Sequence, residues 1–100
     1  MTAARRGHDV TLFEADDKLG GQFNLAAQIP GKEEFHETLR YYRIALEDAG
    51  VKVELGRRVG VDDLTGFDEV VLATGVTPRI PEVKGIDHPK VVSYLDVLRD

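Results

Sequence analysis

Asp9-Val10-Thr11-Leu12-Phe13-Glu14, followed by Ala15-Asp16-Asp17-Lys18-Leu19 and then Gly20-Gly21-Gln22, is the stretch on which the fold turns. Val10 to Phe13 is apolar or β-branched, too short for a helix and bounded by charge. That pattern predicts a strand, of the parallel kind covered on both faces. The strand ends on a carboxylate, Glu14, and the adjacent glycines Gly20 and Gly21 permit backbone conformations that side chains forbid.

Upstream, Ala3-Ala4-Arg5-Arg6-Gly7 reads as the last turn of a helix, with cations near its C-terminus and a glycine to cap it. Downstream, residues 15–31 form a long connection containing Gly20-Gly21 and Pro30-Gly31. Residues 33–49 carry the strongest helical pattern, because Phe35, Leu39, Tyr42, Leu46 and Ala49 form one apolar stripe. Glu33 and Glu34 suit its first turn and Gly50 its end. Val51-Lys52-Val53-Glu54-Leu55 alternates and predicts a half-buried strand. Residues 56–66 are turn-rich, with Val59 and Val61 extended. Glu69-Val70-Val71-Leu72-Ala73 predicts a further buried strand, closed by Thr74-Gly75. Pro78, Pro81, Gly85 and Pro89 then punctuate an irregular stretch. Ser93-Tyr94-Leu95-Asp96 has the form of a capping box opening a last helix. Strand, helix, strand and strand in this order make an α/β fold. Both chain ends fall in or beside a helix, so neither resembles a domain boundary.

The composition narrows the function. One hundred residues with 42% apolar and 31% charged side chains fit a single small domain. A formal charge of −5 with scattered basic residues argues against nucleic acid, which needs a basic stripe. With no cysteine, this segment offers neither disulfide, thiolate chemistry nor iron–sulfur ligands. His8, His36 and His88 lack metal-ligand spacing, so no metal site is expected. No apolar run is long enough for a membrane span, and residues 1–7 lack the apolar stretch of a signal peptide. A cytoplasmic protein is expected.

Three elements could carry chemistry. A carboxylate at a strand end is how dinucleotide-binding α/β folds hold a ribose, and Glu14 occupies such a place; an ordinary solvated glutamate has the same sequence signature. Gly20-Gly21-Gln22 can admit a ligand or form a simple turn. Ala73-Thr74-Gly75 places small residues where a cofactor backbone could pass, although Thr74 could merely cap a turn. Without a base partner, Thr74 is no candidate nucleophile. Tyr41 and Tyr42 suit packing, and Arg5-Arg6 and Arg57-Arg58 suit solvated faces. No catalytic residue is expected.

Taken together, the acidic strand end, Gly-Gly-Gln, amphipathic helix, strand and Val70-Val71-Leu72-Ala73-Thr74-Gly75 resemble the FAD domain of the pyridine-nucleotide disulfide oxidoreductase-like flavoproteins. Two longer stretches narrow the resemblance. Gly20-Gly21-Gln22-Phe23-Asn24 through Gln28-Ile29-Pro30-Gly31-Lys32-Glu33-Glu34-Phe35 and Leu39-Arg40-Tyr41-Tyr42 is one. Gly85-Ile86-Asp87-His88-Pro89-Lys90-Val91 with Ser93-Tyr94-Leu95-Asp96-Val97-Leu98 is the other. Both are similar to the bacterial NADPH-dependent 2,4-dienoyl-CoA reductases, and the likeness covers the chain from Ala3 onward.

The resemblance implies roles residue by residue. Glu14 would bind the ribose of the FAD adenosine, with Gly20, Gly21 and Gln22 lining the cofactor beyond it. Val59 would offer backbone hydrogen bonds to the adenine. Ala73, Thr74 and Gly75 would pass close to the phosphates and ribityl chain. Lys32 could meet the cofactor's negative groups or stand in solvent. The family's FMN, iron–sulfur cluster and catalytic acids belong to a preceding barrel, and its NADPH domain would follow residue 100. Residues 1–100 would therefore be an incomplete Rossmann-like FAD-binding domain, lacking the first strand and the Gly-x-Gly-x-x-Gly turn that forms the pyrophosphate site.

In the parent enzyme, electrons would pass from NADPH through FAD to a 2,4-dienoyl-CoA. A trimethylamine dehydrogenase-like or enoate reductase-like flavoprotein, or a non-catalytic fragment that binds no cofactor, are the alternatives. Alone, the chain is expected to bind FAD weakly or not at all. In this fold the first strand lies between residues 10–14 and 70–73. Without it those two edges are expected to pair with each other, in a rearranged sheet, or with another chain.

Overall fold

In a computed structural model, which describes residues 1–99, the chain runs α1 (Thr2–Arg5), β1 (Thr11–Phe13), α2 (Gln22–Ala26), α3 (Phe35–Asp48), β2 (Lys52–Glu54), a 3-10 turn (Val61–Leu64) and α4 (Tyr94–Arg99). β1 and β2 pair in parallel, with Thr11 opposite Lys52, Leu12 opposite Val53 and Phe13 opposite Glu54. Parallel strands require a crossover, and α2 and α3 provide it. The ladder continues past the strands. Lys52 donates to the Val10 carbonyl at 3.0 Å, Glu14 to the Glu54 carbonyl at 3.0 Å, and Arg57 to the Glu14 carbonyl at 3.0 Å.

α3 lies within the expected helix and turns its apolar stripe inward. Ala45 is buried on it, while Leu39 and Leu46 are half-buried. Tyr42, on the same stripe, is half in solvent and packs edge-on against Tyr41 with centroids 5.3 Å apart. The helix starts at Phe35 rather than at residue 33. The Glu33 carboxylate instead accepts the Gly31 N–H at 3.0 Å, which stabilises the turn before the helix. At the other end Gly50 adopts φ +77°, where its N–H reaches the Glu47 carbonyl and that of Val51 reaches the Leu46 carbonyl, both at 3.0 Å. This pair of bonds closes the helix and delivers the buried Val51 to the start of β2. Gly7 closes α1 in the same way, at φ +95°.

The long connection of residues 15–31 contains a helix that its sequence pattern does not announce. α2 begins just after Gly20 and Gly21, at φ +118° and +52°. The Asn24 side chain ties the turn by donating to the Leu19 carbonyl at 3.0 Å and the Gly21 carbonyl at 3.2 Å. Phe23 stacks on Phe35 with centroids 4.7 Å apart, which docks α2 on α3. Ala27, Ala45 and Val51 are the buried apolar residues, so the core consists of small side chains.

Four expectations are corrected. β1 is not covered on both faces: Thr11 and Phe13 are half-buried, but Leu12 points to solvent. Residues 69–73 are not a strand. A strand exists through its ladder, and no described segment pairs with these residues, leaving Val71 88% and Leu72 78% exposed. Nor do β1 and residues 70–73 pair with each other, so the expected rearranged sheet does not form. Phe67 packs edge-on against Phe13 at 5.9 Å, and the Gln22 side chain holds the Val76 carbonyl at 3.4 Å. The segment between is thus moored at both ends without joining the sheet. Val61, described by its sequence as extended, lies in the 3-10 turn. The Cα radius of gyration, 17.1 Å, exceeds the roughly 13 Å of a compact chain this long. Among the described residues no helix is long and apolar enough to cross a membrane.

The capping box at Ser93 forms as expected. The Asp96 N–H donates to Ser93 Oγ at 3.2 Å, while Asp96 Oδ2 accepts from the Ser93 N–H at 3.0 Å and from its hydroxyl at 2.9 Å. These bonds, the backbone one first, hold the Asp96 carboxyl below the usual aspartate range. Its folded pKa is therefore lower than its unfolded one. The stabilisation is complete above the ordinary range and is lost as pH falls through the lowered value.

Two measurements check this account. In urea denaturation, Gly50→Ala is expected to cost about 1 kcal/mol, because alanine resists the left-handed conformation. Gly20→Ala should cost more, since its Cβ would also stand 2.6 Å from Leu39 Cδ2 and 2.7 Å from Asn24 Nδ2. In a carbon-detected NMR titration, Asp96 should titrate below a free aspartate, and Ser93→Ala, which removes the hydroxyl bond but keeps the backbone one, should move it only part of the way back.

Candidate functional site

The ladder fixes the Glu14 backbone on both sides, and so fixes where its carboxylate begins. Its N–H donates to Glu54 O and its carbonyl accepts from Arg57. Glu14 is half-buried, and Oε1 accepts the Asp16 N–H at 3.0 Å. Among the described residues Oε2 accepts no hydrogen bond, leaving a free anionic acceptor at the end of β1. The Gly56 N–H donates to the Asp16 carbonyl at 2.7 Å, binding residues 14–16 to the loop after β2.

That loop is held by one cation. The Arg57 guanidinium donates to Glu54 Oε2 through NH1 and to Asp63 Oδ1 through NH2, each at 3.0 Å. It also lies over the Phe13 ring, 5.1 Å from the centroid. The other Asp63 oxygen accepts the Gly60 N–H at 2.8 Å. The Gly60 bond, then the Arg57 bond, lower the Asp63 pKa; the Asp63 bond, then the Glu54 charge, raise that of Arg57. Arg57 is thus bonded on both sides, whereas its sequence context suggested a solvated face. Its carboxylate partners stand only three and six residues away, but it is the turn of the loop, and Phe13 from β1 beneath it, that brings them to the guanidinium. Val59 stands between Arg57 and Gly60 with its side chain half-buried. Among the described residues neither its N–H nor its carbonyl is hydrogen-bonded.

A second group gathers around Gln22. Its amide donates to the Val76 carbonyl at 3.4 Å and to the Tyr94 hydroxyl at 3.2 Å. The Gly-Gly-Gln turn therefore meets the backbone just beyond Gly75, and α4 closes over both. Tyr94 was not singled out by sequence, and its contact joins residues too far apart for any local pattern to indicate. Gly20 and Gly21 differ in role. The space where a Gly20 Cβ would stand is filled by Leu39 and Asn24, whereas at Gly21 and Gly75 it is open. Ala73 and Thr74 are exposed, and the Thr74 side chain makes no hydrogen bond among the described residues. Lys32 is exposed in the turn after α2, where its N–H donates to the Ile29 carbonyl. No described bond connects its ammonium to the other candidates.

The arrangement fits a nucleoside at one end. Glu14 Oε2 can accept from vicinal hydroxyls, and the open Val59 amide can both donate to and accept from a heterocycle edge. No group of histidine and carboxylate side chains among the described residues could hold a metal ion.

Comparison with known proteins places this geometry among relatives. The N,N-dimethylglycine/sarcosine dehydrogenase of Chromohalobacter salexigens is 40% identical over 104 residues, covering 96% of this chain and 15% of that protein. The cinnamate reductase of Clostridium sporogenes is 37% identical over 100 residues, covering 98% of this chain and 15% of that protein. A solved complex of 2-naphthoyl-CoA reductase with 2-naphthoyl-CoA superposes with a TM-score of 0.91 at 36% identity, covering 97% of this chain and 15% of that one. The chain spans about 15% of the length of these relatives. The fold is of the α/β Rossmann-like FAD-binding kind. The family model for pyridine nucleotide-disulphide oxidoreductases matches residues 1–100, and the chain belongs to that family.

Proposed function

We propose that these residues form part of the FAD-binding domain of a flavin oxidoreductase that passes electrons from NADPH through FAD to a 2,4-dienoyl-CoA. The observation that carries the cofactor reading is the pairing of two open groups at one end of the ladder. Glu14 Oε2 and the Val59 amide are both unsatisfied among the described residues, and the Arg57 N–H ties their segments together. Glu14 accepts from the ribose hydroxyls of the adenosine, and Val59 meets the adenine edge. Gly20, Gly21 and Gln22 lead from there towards Ala73, Thr74 and Gly75, which pass the phosphates and ribityl chain. Lys32 offers a cation to the same negative groups. When bound, the flavin supplies the electron transfer; this segment binds and orients it.

The substrate reading rests on the two longer stretches of resemblance, residues 20–42 and 85–98. It is supported by relatives whose names speak of reducing conjugated acids or acyl-CoA thioesters, the cinnamate and 2-naphthoyl-CoA reductases. A second reading, oxidation of a methylated amine, is favoured by the 40% identity to the N,N-dimethylglycine/sarcosine dehydrogenase. Where no other chain covers them, the open β1 edge and residues 70–80 give the segment a tendency to self-associate.

Anaerobic flavin reduction in the full-length protein separates the two readings. Bleaching by NADPH, followed by reoxidation with a 2,4-dienoyl-CoA, is the expected outcome. Bleaching by sarcosine or dimethylglycine, and none by NADPH, would establish the amine reading instead. Glu14→Ala should weaken FAD retention at least tenfold, since charge-assisted bonds to the ribose contribute about 1.5–3 kcal/mol. Unchanged FAD affinity in that variant would remove Glu14 from the site.

A further inference from the structure

The loop that carries Val59 has no regular secondary structure, yet both its ends are fixed by one side chain. Arg57 reaches back to Glu54 on β2 and forward to Asp63 in the 3-10 turn. The same Asp63 carboxylate receives the Gly60 N–H. A single carboxylate therefore joins the first and last residues of the four-residue stretch 57–60, with Arg58 and Val59 at its tip. Beneath the guanidinium lies Phe13, the last residue of β1, whose other neighbour is the Phe67 ring. Arg57 also uses its own N–H on Glu14.

We propose that Arg57 is a positioning residue for the adenine: bridging Glu54 and Asp63 over the Phe13 ring, it holds residues 57–60 so that the open Val59 amide faces the base. This rests on the adenosine reading of Glu14 and Val59. A planar guanidinium suits the task, because its two terminal nitrogens engage separate carboxylates at fixed angles. A lysine ammonium, a point charge on a flexible stem, would hold the two carboxylates with less fixed geometry. The groups facing Arg57 are Glu54 and Lys52 from β2, Asp63 from the 3-10 turn and Phe13 from β1. Lys52, 3.6 Å from the other Glu54 oxygen, shares that carboxylate without displacing Arg57.

The consequence is a role in discriminating the base, beyond support of the fold. The test strips flavin from the full-length protein and titrates it back with FAD or with flavin hypoxanthine dinucleotide. The hypoxanthine analogue carries oxygen in place of the 6-amino group and a proton on N1, inverting the edge a backbone amide reads. Flavin fluorescence reports both affinities. The parent protein should prefer FAD about tenfold, the worth of a backbone hydrogen bond. Arg57→Ala and Asp63→Ala should each bring the two affinities close to equal, with Arg57→Lys between. The Arg57→Ala/Asp63→Ala double variant should be no worse than either single one, because both break the same clamp. A parent protein without preference, or single variants that keep it, would overturn the inference. If Arg57→Ala fails to fold, Asp63→Ala decides. Glu14→Ala separates the underlying reading: FAD affinity unaffected by that change removes the adenosine site itself. Weakened affinity there, with preference retained in Arg57→Ala, removes only the role of Arg57.

Discussion

A three-residue parallel ladder organises everything else in this chain. β1 and β2 lie about forty residues apart in sequence, and their register places Phe13 opposite Glu54. Extended by the bonds of Val10 and Glu14, it brings the acidic end of β1 against the loop after β2. Sliding the register by one residue would turn Phe13 to the other face and separate Glu14 from Arg57. The crossover is held by packing that is modest in volume. Ala27, Ala45 and Val51 form the buried centre, and Phe23 on Phe35 joins α2 to α3. So small a core leaves precise helix ends to set the spacing, and Gly50 gives α3 a defined end that feeds β2 directly.

The ladder produces a division of labour along the candidate site. At its C-terminal end the ladder bonds reach as far as Glu14 and Arg57, while among the described residues Glu14 Oε2 and the Val59 amide remain open. Unused hydrogen-bonding groups beside a fixed backbone are what a ligand with vicinal hydroxyls and a heterocycle needs. At the other end, Gln22 fastens residues just beyond Gly75 to the Gly-Gly turn and to Tyr94 of α4. The run between, rich in valine and leucine, lies open to solvent. An apolar stretch of this kind fits a chain that spans about 15% of its relatives, in which other segments can cover it.

The parts of this arrangement that were legible in the sequence are those determined by neighbours along the chain. The stripe from Phe35 to Ala49, the glycine after it, the alternation of Val51 to Leu55 and the Ser93/Asp96 box all depend on short-range geometry. The five-residue α2 lacked enough turns to show a period, and its flanking glycines suggested loop. Residues 69–73 have the composition of a strand, but composition cannot supply the neighbour that makes one. Arg57 illustrates the remaining gap. Beside Arg58 it looks like one of two solvated cations, and only the fold brings Glu54, Asp63 and Phe13 around it. For the candidate site, Glu14 was marked by its place at a strand end and Val59 by the family resemblance alone, whereas the linkage between their segments was not visible.

A crystal structure of the full-length protein with its flavin bound tests the central claim most directly. The account predicts the adenosine ribose hydroxyls within hydrogen-bonding distance of the Glu14 carboxylate and the adenine edge on the Val59 backbone, with the Arg57 bridge intact. A flavin whose adenosine lies away from both residues would contradict it.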